Sequence, residues 1–232
     1  MKTALIIGGS SGIGRACVNL FSEKNWDVFA TFHSKGQIGT TDRIRWSFLD
    51  IRDIPDNFFD DFPPIDAVVI CAAKNITQSL SDLKKKDTQE IVDTNLIGQI
   101  EFIRLLRNRL APNSSIVLFG SVVSVIGFRR RIAYGITKAA MKSLTKTLAS
   151  EFSPNTRVNC IMPAYIKTDS YLAHNAVEES IRVKKILLRR LGKPEEVAQL
   201  AFFLSSEDSS YINGESIGIN GGFNYDYEFE TE

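Results

Sequence analysis

The segment TALIIGGSSGIG, residues 3–14, decides the fold of this chain. Its first five residues form an apolar run that is typical of a strand buried on both faces of a parallel sheet. Gly8, Gly12 and Gly14 follow this run. Apolar residues then recur at the period of one helix face, at Ile13, Ala16, Cys17, Leu20 and Phe21. The segment therefore predicts a strand, a glycine-rich turn and a helix in direct succession.

The same alternation continues along the chain. Apolar runs predict further strands at 27–32, 44–48, 66–72, 115–120, 157–162 and 215–219. Helices are expected near 88–110, 134–152, 170–190 and 194–205. This pattern predicts an α/β fold of the Rossmann type, with one doubly wound parallel sheet, three layers and a single domain over residues 1–232. Between 33 and 43 a short Gly/Thr-rich connection stands where a crossover helix is expected.

The glycine-rich turn is the first functional signal. Positions without side chains accept positive φ and let backbone amides approach a pyrophosphate at the positive end of the helix. The succession of strand, glycines and helix favours a dinucleotide-binding site. The alternative is a tight strand-to-helix turn that holds no ligand.

Composition excludes several other classes of protein. The 232 residues are 44% apolar and carry 28 basic against 27 acidic side chains, so no overall field recruits nucleic acid or a membrane surface. No apolar run reaches the roughly 20 residues of a membrane helix. Three widely spaced cysteines favour reduced thiols in the cytoplasm, and with only two histidines we expect no metal site.

Several motifs follow the glycines in a fixed order. Asn95 lies in VDTNLIG and Ser121 in LFGSVVSVIG. Tyr134 and Lys138 lie in YGITK, a spacing that alone would not distinguish a catalytic pair from coincidence. RVNCIMPAYIKTD at 157–169 and RRLGKPEEVAQLAFFLSSEDSSYINGESIGINGG at 189–222 complete the series. Together these motifs resemble the short-chain dehydrogenase/reductase family over nearly the whole chain, in particular its 3-oxoacyl-[acyl-carrier-protein] reductase-like members.

The resemblance implies hydride transfer between a nicotinamide cofactor and a carbonyl carbon. Tyr134 would protonate the carbonyl oxygen, and Lys138, one helical turn away, would stabilise the phenolate and hold the nicotinamide ribose. Ser121 would hydrogen-bond the developing oxyanion, and Asn95 would order a water for the proton relay. Taken singly, each of these residues also has an ordinary structural explanation. Implied cofactor contacts, besides Tyr134 and Lys138, fall at Gly8, Ser10, Ser11, Gly12, Ile13, Gly14, Asp50, Ile51, Ala72, Ala73, Pro163, Ile166 and Thr168.

The sequence departs from the family pattern at two places. The family's NNAG appears as Cys71-Ala72-Ala73-Lys74, and its PG appears as Pro163-Ala164. Both places contribute backbone to the implied cofactor site, so local contacts there are open. Asp50, in LDIRD, matches the position that contacts the adenine amino group in the family, although a carboxylate at a strand end or turn is the simpler explanation.

The residues after the second predicted strand bear on the choice of cofactor. An acidic residue there would bind the ribose hydroxyls of NAD and repel a phosphate, but FATFHSK has none. His33, Ser34 and Lys35 instead offer two potential cations and a hydroxyl for a 2′-phosphate. We therefore expect NADP(H), with NAD(H) as the alternative cofactor and an ordinary polar loop as the alternative explanation of these residues.

The expected activity is the interconversion of a ketone and a secondary alcohol, with small carbonyl, alcohol or carrier-linked acyl compounds as candidate substrates. Two basic clusters, 129–131 and 184–190, would suit an acidic carrier or a coenzyme A phosphate, although solvated helix faces or oligomer contacts are commoner. A different class remains open, a dinucleotide-binding sensor or partner protein that keeps the fold without turnover.

The C-terminal segment FNYDYEFETE, residues 223–232, alternates aromatic and polar residues. In an extended chain this pattern would place the aromatic rings at 223, 225, 227 and 229 on one face. Exposed on a free tail, such a face would be unfavourable. We therefore expect it to lie against a neighbouring subunit of a homodimer or homotetramer, with a frayed acidic tail as an equal alternative.

Overall fold

A computed structural model describes residues 1–34, 41–168 and 176–223 of the chain. Within these residues, strands that all run parallel form a single sheet of order β3-β2-β1-β4-β5-β6-β7. The order reverses between β1 and β4, which is where a doubly wound sheet opens a crevice at its carboxyl edge. The strands are β1 Thr3–Ile7, β2 Asp27–Phe32, β3 Ile44–Phe48, β4 Ile65–Ile70, β5 Leu110–Phe119, β6 Thr156–Pro163 and β7 Ser216–Ile219.

Helices connect most of the strands, although within the described residues none lies between β2 and β3 or between β3 and β4. A π-helical turn, Asp93–Ile97, joins α2 to α3 in one continuous helical segment. Short 3₁₀ turns lie at Arg107–Arg109, Val122–Ser124 and Glu207–Ser209. The α-helices of the described residues are α1 Gly12–Glu23, α2 Lys85–Val92, α3 Gly98–Leu106, α4 Ile132–Glu151, α5 Ala176–Lys184 and α6 Pro194–Ser205.

Side-chain alternation along the strands builds a core on each face of the sheet. In β1, Ala4 and Ile6 pack into a cluster with residues of α1 and α6, whereas Leu5 and Ile7 pack into a second cluster with residues of α3 and α4. All four are almost completely buried. Because successive strand residues point to opposite faces, an unbroken apolar run is what a sheet covered on both sides requires. The three-layer parallel fold predicted from the sequence is confirmed.

The predicted strands and helices occur, but only some of their limits match the prediction. Strands β1, β2 and β3 and helix α6 have the predicted limits, whereas β4 ends at Ile70 rather than residue 72, and β5 begins earlier, at Leu110. The helix expected at 88–110 is divided by the π turn and ends at Leu106. The helix expected at 170–190 is Ala176–Lys184, and its predicted start lies outside the described residues.

The C-terminal residues are described only as far as Phe223, which forms a turn with Gly221 and Gly222. The Phe223 ring lies 6.0 Å from that of Phe128 and 5.0 Å from that of Tyr165, measured between centroids. Phe223 therefore packs within its own chain, and its expected contact with another subunit stays a prediction. Residues 224–232 lie outside the described residues.

Three further features concern the remaining sequence expectations. Cys17 and Cys160 are buried, Cys71 is half-buried, and all three are free thiols. No cluster of metal-ligating side chains occurs in the described part of the chain. In the same residues, no helix is both long and apolar enough to cross a membrane.

Candidate active site

The glycine-rich turn after β1 is held against its neighbours by close backbone contacts. Gly8 has φ +77°, and a Cβ at this position would lie 2.8 Å from the backbone nitrogen of Ala72. A Cβ on Gly14 would lie 2.1 Å from the carbonyl oxygen of Gly8. Neither position can carry a side chain without moving backbone, so the glycines draw the start of α1 onto the end of β1. The Thr31 hydroxyl accepts a hydrogen bond from the Gly8 amide at 3.1 Å and fixes the turn from β2.

The turn leads into a helix end whose amides are available. Ser11 is the N-cap of α1, yet its side chain makes no capping hydrogen bond, and the first turn of α1 contains no acidic residue. The first amides of a helix lack partners within the helix and carry the positive end of its dipole. A bare turn and an uncapped helix end therefore fit the pyrophosphate of a dinucleotide, which would supply the missing acceptors.

Ser121, Tyr134 and Lys138 line one cavity of about 740 Å³ beside this turn. Ser121 follows β5 and caps the 3₁₀ turn that begins at Val122, where its Oγ accepts a hydrogen bond from the Val123 amide at 3.3 Å. Tyr134 lies in the first turn of α4, and Lys138 follows one helical turn later. The arrangement places a hydroxyl, a phenol and an amine at one end of the parallel sheet.

Lys138 is almost completely buried, with 2% of its surface exposed. Its Nζ donates a hydrogen bond to the carbonyl oxygen of Phe119 at 2.7 Å and lies 5.7 Å from the centroid of the Tyr134 ring. Burial lowers the pKa of Lys138 to about 8. The ammonium is therefore held beside the phenol, at a position where it can stabilise the phenolate.

The environment of Tyr134 acts on its phenol in both directions. Burial raises the pKa of Tyr134, while the neighbouring Ser121 hydroxyl and the Arg131 guanidinium lower that pKa. These latter groups interact favourably with the phenolate, so they reduce the cost of releasing the proton. A half-buried phenol with hydroxyl and cationic neighbours has the features of a group that donates and recovers a proton during a reaction.

Asn95 lies behind this cavity, in the π turn, and is fully buried. Its Oδ1 accepts from the Lys74 amide at 2.7 Å, and its Nδ2 donates to the Lys74 carbonyl at 2.9 Å and to Thr137 Oγ1 at 3.2 Å. The side chain thus ties the segment after β4 to α4. Both hydrogens of its amide group have acceptors within the protein. The role expected for Asn95 in a proton relay stays a prediction.

A second cavity, of about 270 Å³, lies on the other side of the glycine-rich turn. Its lining contains Ala73, which also lines the larger cavity, so the two cavities meet at this residue. The other predicted cofactor residues divide between them. Gly8, Ser10, Ser11, His33, Ser34, Asp50, Ile51 and Ala72 line the smaller cavity, and Ile13, Pro163, Ile166 and Thr168 line the larger one.

Two of the predicted cofactor residues line neither cavity. Gly12 and Gly14 are in the turn and the start of α1, and Thr168 closes over Gly12, where an added Cβ would lie 3.1 Å from the Thr168 methyl carbon. Lys35 lies outside the described residues. Backbone geometry, rather than a cavity-lining side chain, therefore explains why glycine occupies positions 12 and 14.

The smaller cavity also contains a network of charges that sequence reasoning missed. Arg52 donates to both Asp50 oxygens, with Nη2 2.6 Å from Oδ2, and its hydrogen bond is the main reason that the pKa of Asp50 lies well below its usual range. His33 Nε2 is 3.4 Å from the same carboxylate, and Lys74 Nζ is 2.9 Å from Glu90. The only sequence signal for Arg52 was its place beside Asp50 in LDIRD. A contact between Asp50 and adenine would have to be shared with these partners.

Comparisons with known proteins agree with this geometry. Residues 47–224 match the family model described as enoyl-(acyl carrier protein) reductase. The 3-oxoacyl-[acyl-carrier-protein] reductase FabG of Thermotoga maritima is 33% identical over 240 residues, covering 95% of this chain and 97% of that protein. Glucose 1-dehydrogenase 2 of Bacillus subtilis is 28% identical over 245 residues, covering 95% of this chain and 94% of that protein. A crystal structure from Brucella melitensis, described as short-chain dehydrogenase/reductase SDR:Glucose/ribitol dehydrogenase, has a TM-score of 0.90 and 28% identity, covering 97% of each chain.

Proposed function

Because this chain belongs to the short-chain dehydrogenase/reductase family of oxidoreductases, we propose that it interconverts a ketone and a secondary alcohol, with NADP(H) as its preferred cofactor and Tyr134 as the proton donor and acceptor. One observation carries the proposal: Ser121, Tyr134 and Lys138 line a single cavity next to a glycine-rich turn that fits a dinucleotide pyrophosphate. Each group in this cavity has a task in carbonyl chemistry.

In the direction of reduction, charge develops on the substrate's carbonyl oxygen. The bound nicotinamide supplies the hydride that reaches the carbonyl carbon. Tyr134 gives its phenolic proton to the oxygen, and Ser121 donates a hydrogen bond to the same oxygen as its charge grows. The Lys138 ammonium stabilises the phenolate that remains. In the direction of oxidation, the phenolate takes the proton back from the alcohol.

The larger and smaller cavities divide the cofactor between them in this proposal. The amides at the start of α1 bind the pyrophosphate, Lys138 binds the nicotinamide ribose, and Asp50 and Ile51 bind the adenine half. The preference for NADP(H) is supported by His33 and Ser34, which line the smaller cavity directly after β2 where NAD-binding proteins place an acid. Asp50 and Glu90 line it too, but both carboxylates are paired with cations of the same cavity.

The substrate is proposed to be a small carbonyl or alcohol compound, with a carrier-linked acyl group included among the candidates. The relatives include a 3-oxoacyl-[acyl-carrier-protein] reductase and a glucose dehydrogenase, so membership of the family does not select one of these substrates. Selection depends on the residues that line the larger cavity opposite Tyr134.

We also propose that the protein acts as a homodimer or homotetramer in the cytoplasm. Helix α4 packs on α2 and the π turn, and this side of the molecule exposes apolar residues: 53% of the Ile97 surface, 42% of Ile100 and 64% of Ile136. Apolar residues exposed close together on neighbouring helices are typical of protein interfaces. The cytoplasm is supported by the three unpaired thiols.

The test of the function is a panel of ketones and secondary alcohols, assayed by nicotinamide absorbance with NADPH, NADH and their oxidised forms. We expect turnover of at least one ketone with NADPH. Tight binding of NADPH with no turnover of any compound, even at high enzyme concentration, would favour a dinucleotide-binding sensor that retains the fold.

A further inference from the structure

The larger cavity has an unusual charge balance on the side that faces away from the glycine-rich turn. Arg129, Arg131 and Arg182 line it together with Lys138, whereas its described lining contains no aspartate or glutamate. The remaining lining is largely apolar or neutral and includes Phe128, Val122 and Tyr165. A substrate that enters this cavity therefore meets several positive groups and no carboxylate of the described residues.

Arg131 is the arginine closest in sequence and in electrostatic reach to the reacting group. It is the N-cap of α4, its side chain is half-buried, and it donates a hydrogen bond from Nη1 to Asn75 Oδ1. Its guanidinium interacts electrostatically with the Tyr134 phenol. A guanidinium has five donors in a planar fork, so one contact to a neutral amide leaves donors for a second acceptor.

A nearby arginine and the N-terminal end of α4 both make this position more favourable for an anion. Arg182 of α5 lies over the Tyr165 ring, with its Cζ 5.5 Å from the centroid. Its positive charge repels that of Arg131. Arg131 also stands at the positive end of a 20-residue helix whose first turn holds no acidic residue. Burial and the like charge of Arg182 both lower the pKa of Arg131, so an anion bound at the Arg131 guanidinium would offset both effects.

We propose that Arg131, supported by Arg182, binds a carboxylate carried by the substrate, so that the enzyme prefers small oxo acids and the corresponding hydroxy acids to neutral ketones. The inference rests on the proposed oxidoreductase function and names the substrate class for it. The planar fork of Arg131 matches a carboxylate in a bidentate manner and would orient the carbonyl toward Tyr134 and Ser121. A thioester carbonyl linked to a carrier has no charge of this kind beside it.

The test uses matched pairs of probes that differ in charge and by one methyl group: pyruvate, acetoacetate and levulinate, each with its methyl ester. These acids place the carboxylate at increasing separation from the ketone. For each pair, the ratio of kcat/KM for the acid to that for the ester is measured with NADPH in the wild type, Arg131→Gln and Arg131→Lys. Arg130→Gln is the matched control because this neighbouring arginine is exposed and is not part of the cavity lining.

The wild type should favour the acid of at least one pair. Arg131→Gln should lower the acid-to-ester ratio by at least about tenfold, since a hydrogen bond between charged groups is lost. Arg131→Lys should fall between the two, and Arg130→Gln should match the wild type. A general effect of Arg131 on Tyr134 would lower both rates together and cancel in the ratio. An ester reduced as well as its acid in every pair, or a ratio unchanged in Arg131→Gln, overturns the proposal.

A binding measurement separates this proposal from the proposed function. Calorimetry with the same three acids and the NADP⁺-bound protein needs no turnover. At least about tenfold weaker binding of an acid to Arg131→Gln than to wild type or Arg130→Gln would support the anion site even if no ketone were reduced. Equal binding to wild type and Arg131→Gln would reject the anion site even if the enzyme reduced neutral ketones.

Discussion

Burial of Lys138 predicts an uncommon dependence of stability on pH. The pKa of Lys138 falls from 10.5 to about 8 on folding, mainly because the ammonium loses its hydration. Between these two pKa values the unfolded chain binds more protons than the native protein, so the free energy of unfolding rises with pH. Below about pH 8 Lys138 is protonated in both the native and the unfolded state, so its contribution to stability no longer changes with pH.

The size of the effect follows from the two pKa values. Linkage gives a gain of about 2 kcal/mol in the free energy of unfolding from this one group between about pH 7 and pH 9.5. Other groups titrate in the same range, so the quantity to compare is the difference between wild type and Lys138→Met. The variant also leaves the Phe119 carbonyl without its partner, but that loss shifts the difference equally at every pH.

The assay is urea unfolding of the cofactor-free protein, followed by circular dichroism at several pH values in this range. We expect the stability of the wild type relative to Lys138→Met to increase by about 2 kcal/mol toward pH 9.5. Lys146→Met is the matched control, since it removes an exposed lysine of the same helix, and its difference from wild type should stay constant. A flat or falling difference for Lys138→Met would refute the burial of a charged amine at this site.

Two further predictions concern the cofactor and the C-terminus. NADPH should bind with a lower dissociation constant than NADH in titrations. The difference between the two affinities should shrink in Lys35→Ala, which removes a charge, and at high salt, which screens the phosphate contact; equal affinities would contradict the preference. Deleting residues 223–232 should reduce the oligomer mass in light scattering, or lower the melting temperature because it removes the Phe223 contacts with Phe128 and Tyr165. No change in either quantity would show that the segment contributes nothing to assembly or packing.

Several parts of the fold could be predicted because the sequence signal is local. β1 and β2 are short, mainly apolar runs, and α6 begins with Pro194 and two acidic residues. The limits of these elements therefore follow from neighbouring residues alone. β5 was harder because its first residues include Pro112 and Asn113, which has φ +60° and is not typical of a strand. The π turn depends on how the helix meets the rest of the chain, and nothing in its residue types marks the additional residue.

The candidate site shows the same division. The order of Ser121, Tyr134 and Lys138 along the chain predicted that they belong together, and the structure brings them into one cavity. The partners of Asp50 and the position of Arg131 could not be predicted. The pairing of Arg52 with Asp50, two residues away, depends on side-chain directions, whereas Arg131 contacts Asn75 from a segment far away in sequence. Motif order thus indicated the proposed reacting groups, and only the three-dimensional arrangement showed the charges around them.

The central claim is that Tyr134 exchanges the proton in a carbonyl reduction. The most direct measurement is the rate of NADPH oxidation by Tyr134→Phe, against a ketone that the wild type reduces, together with the affinity of the same variant for NADPH. We expect turnover to be abolished while NADPH affinity stays nearly unchanged, because the substitution removes the transferable proton and leaves the contacts of the glycine-rich turn intact. Reduction of that ketone by Tyr134→Phe at the wild-type rate would contradict it.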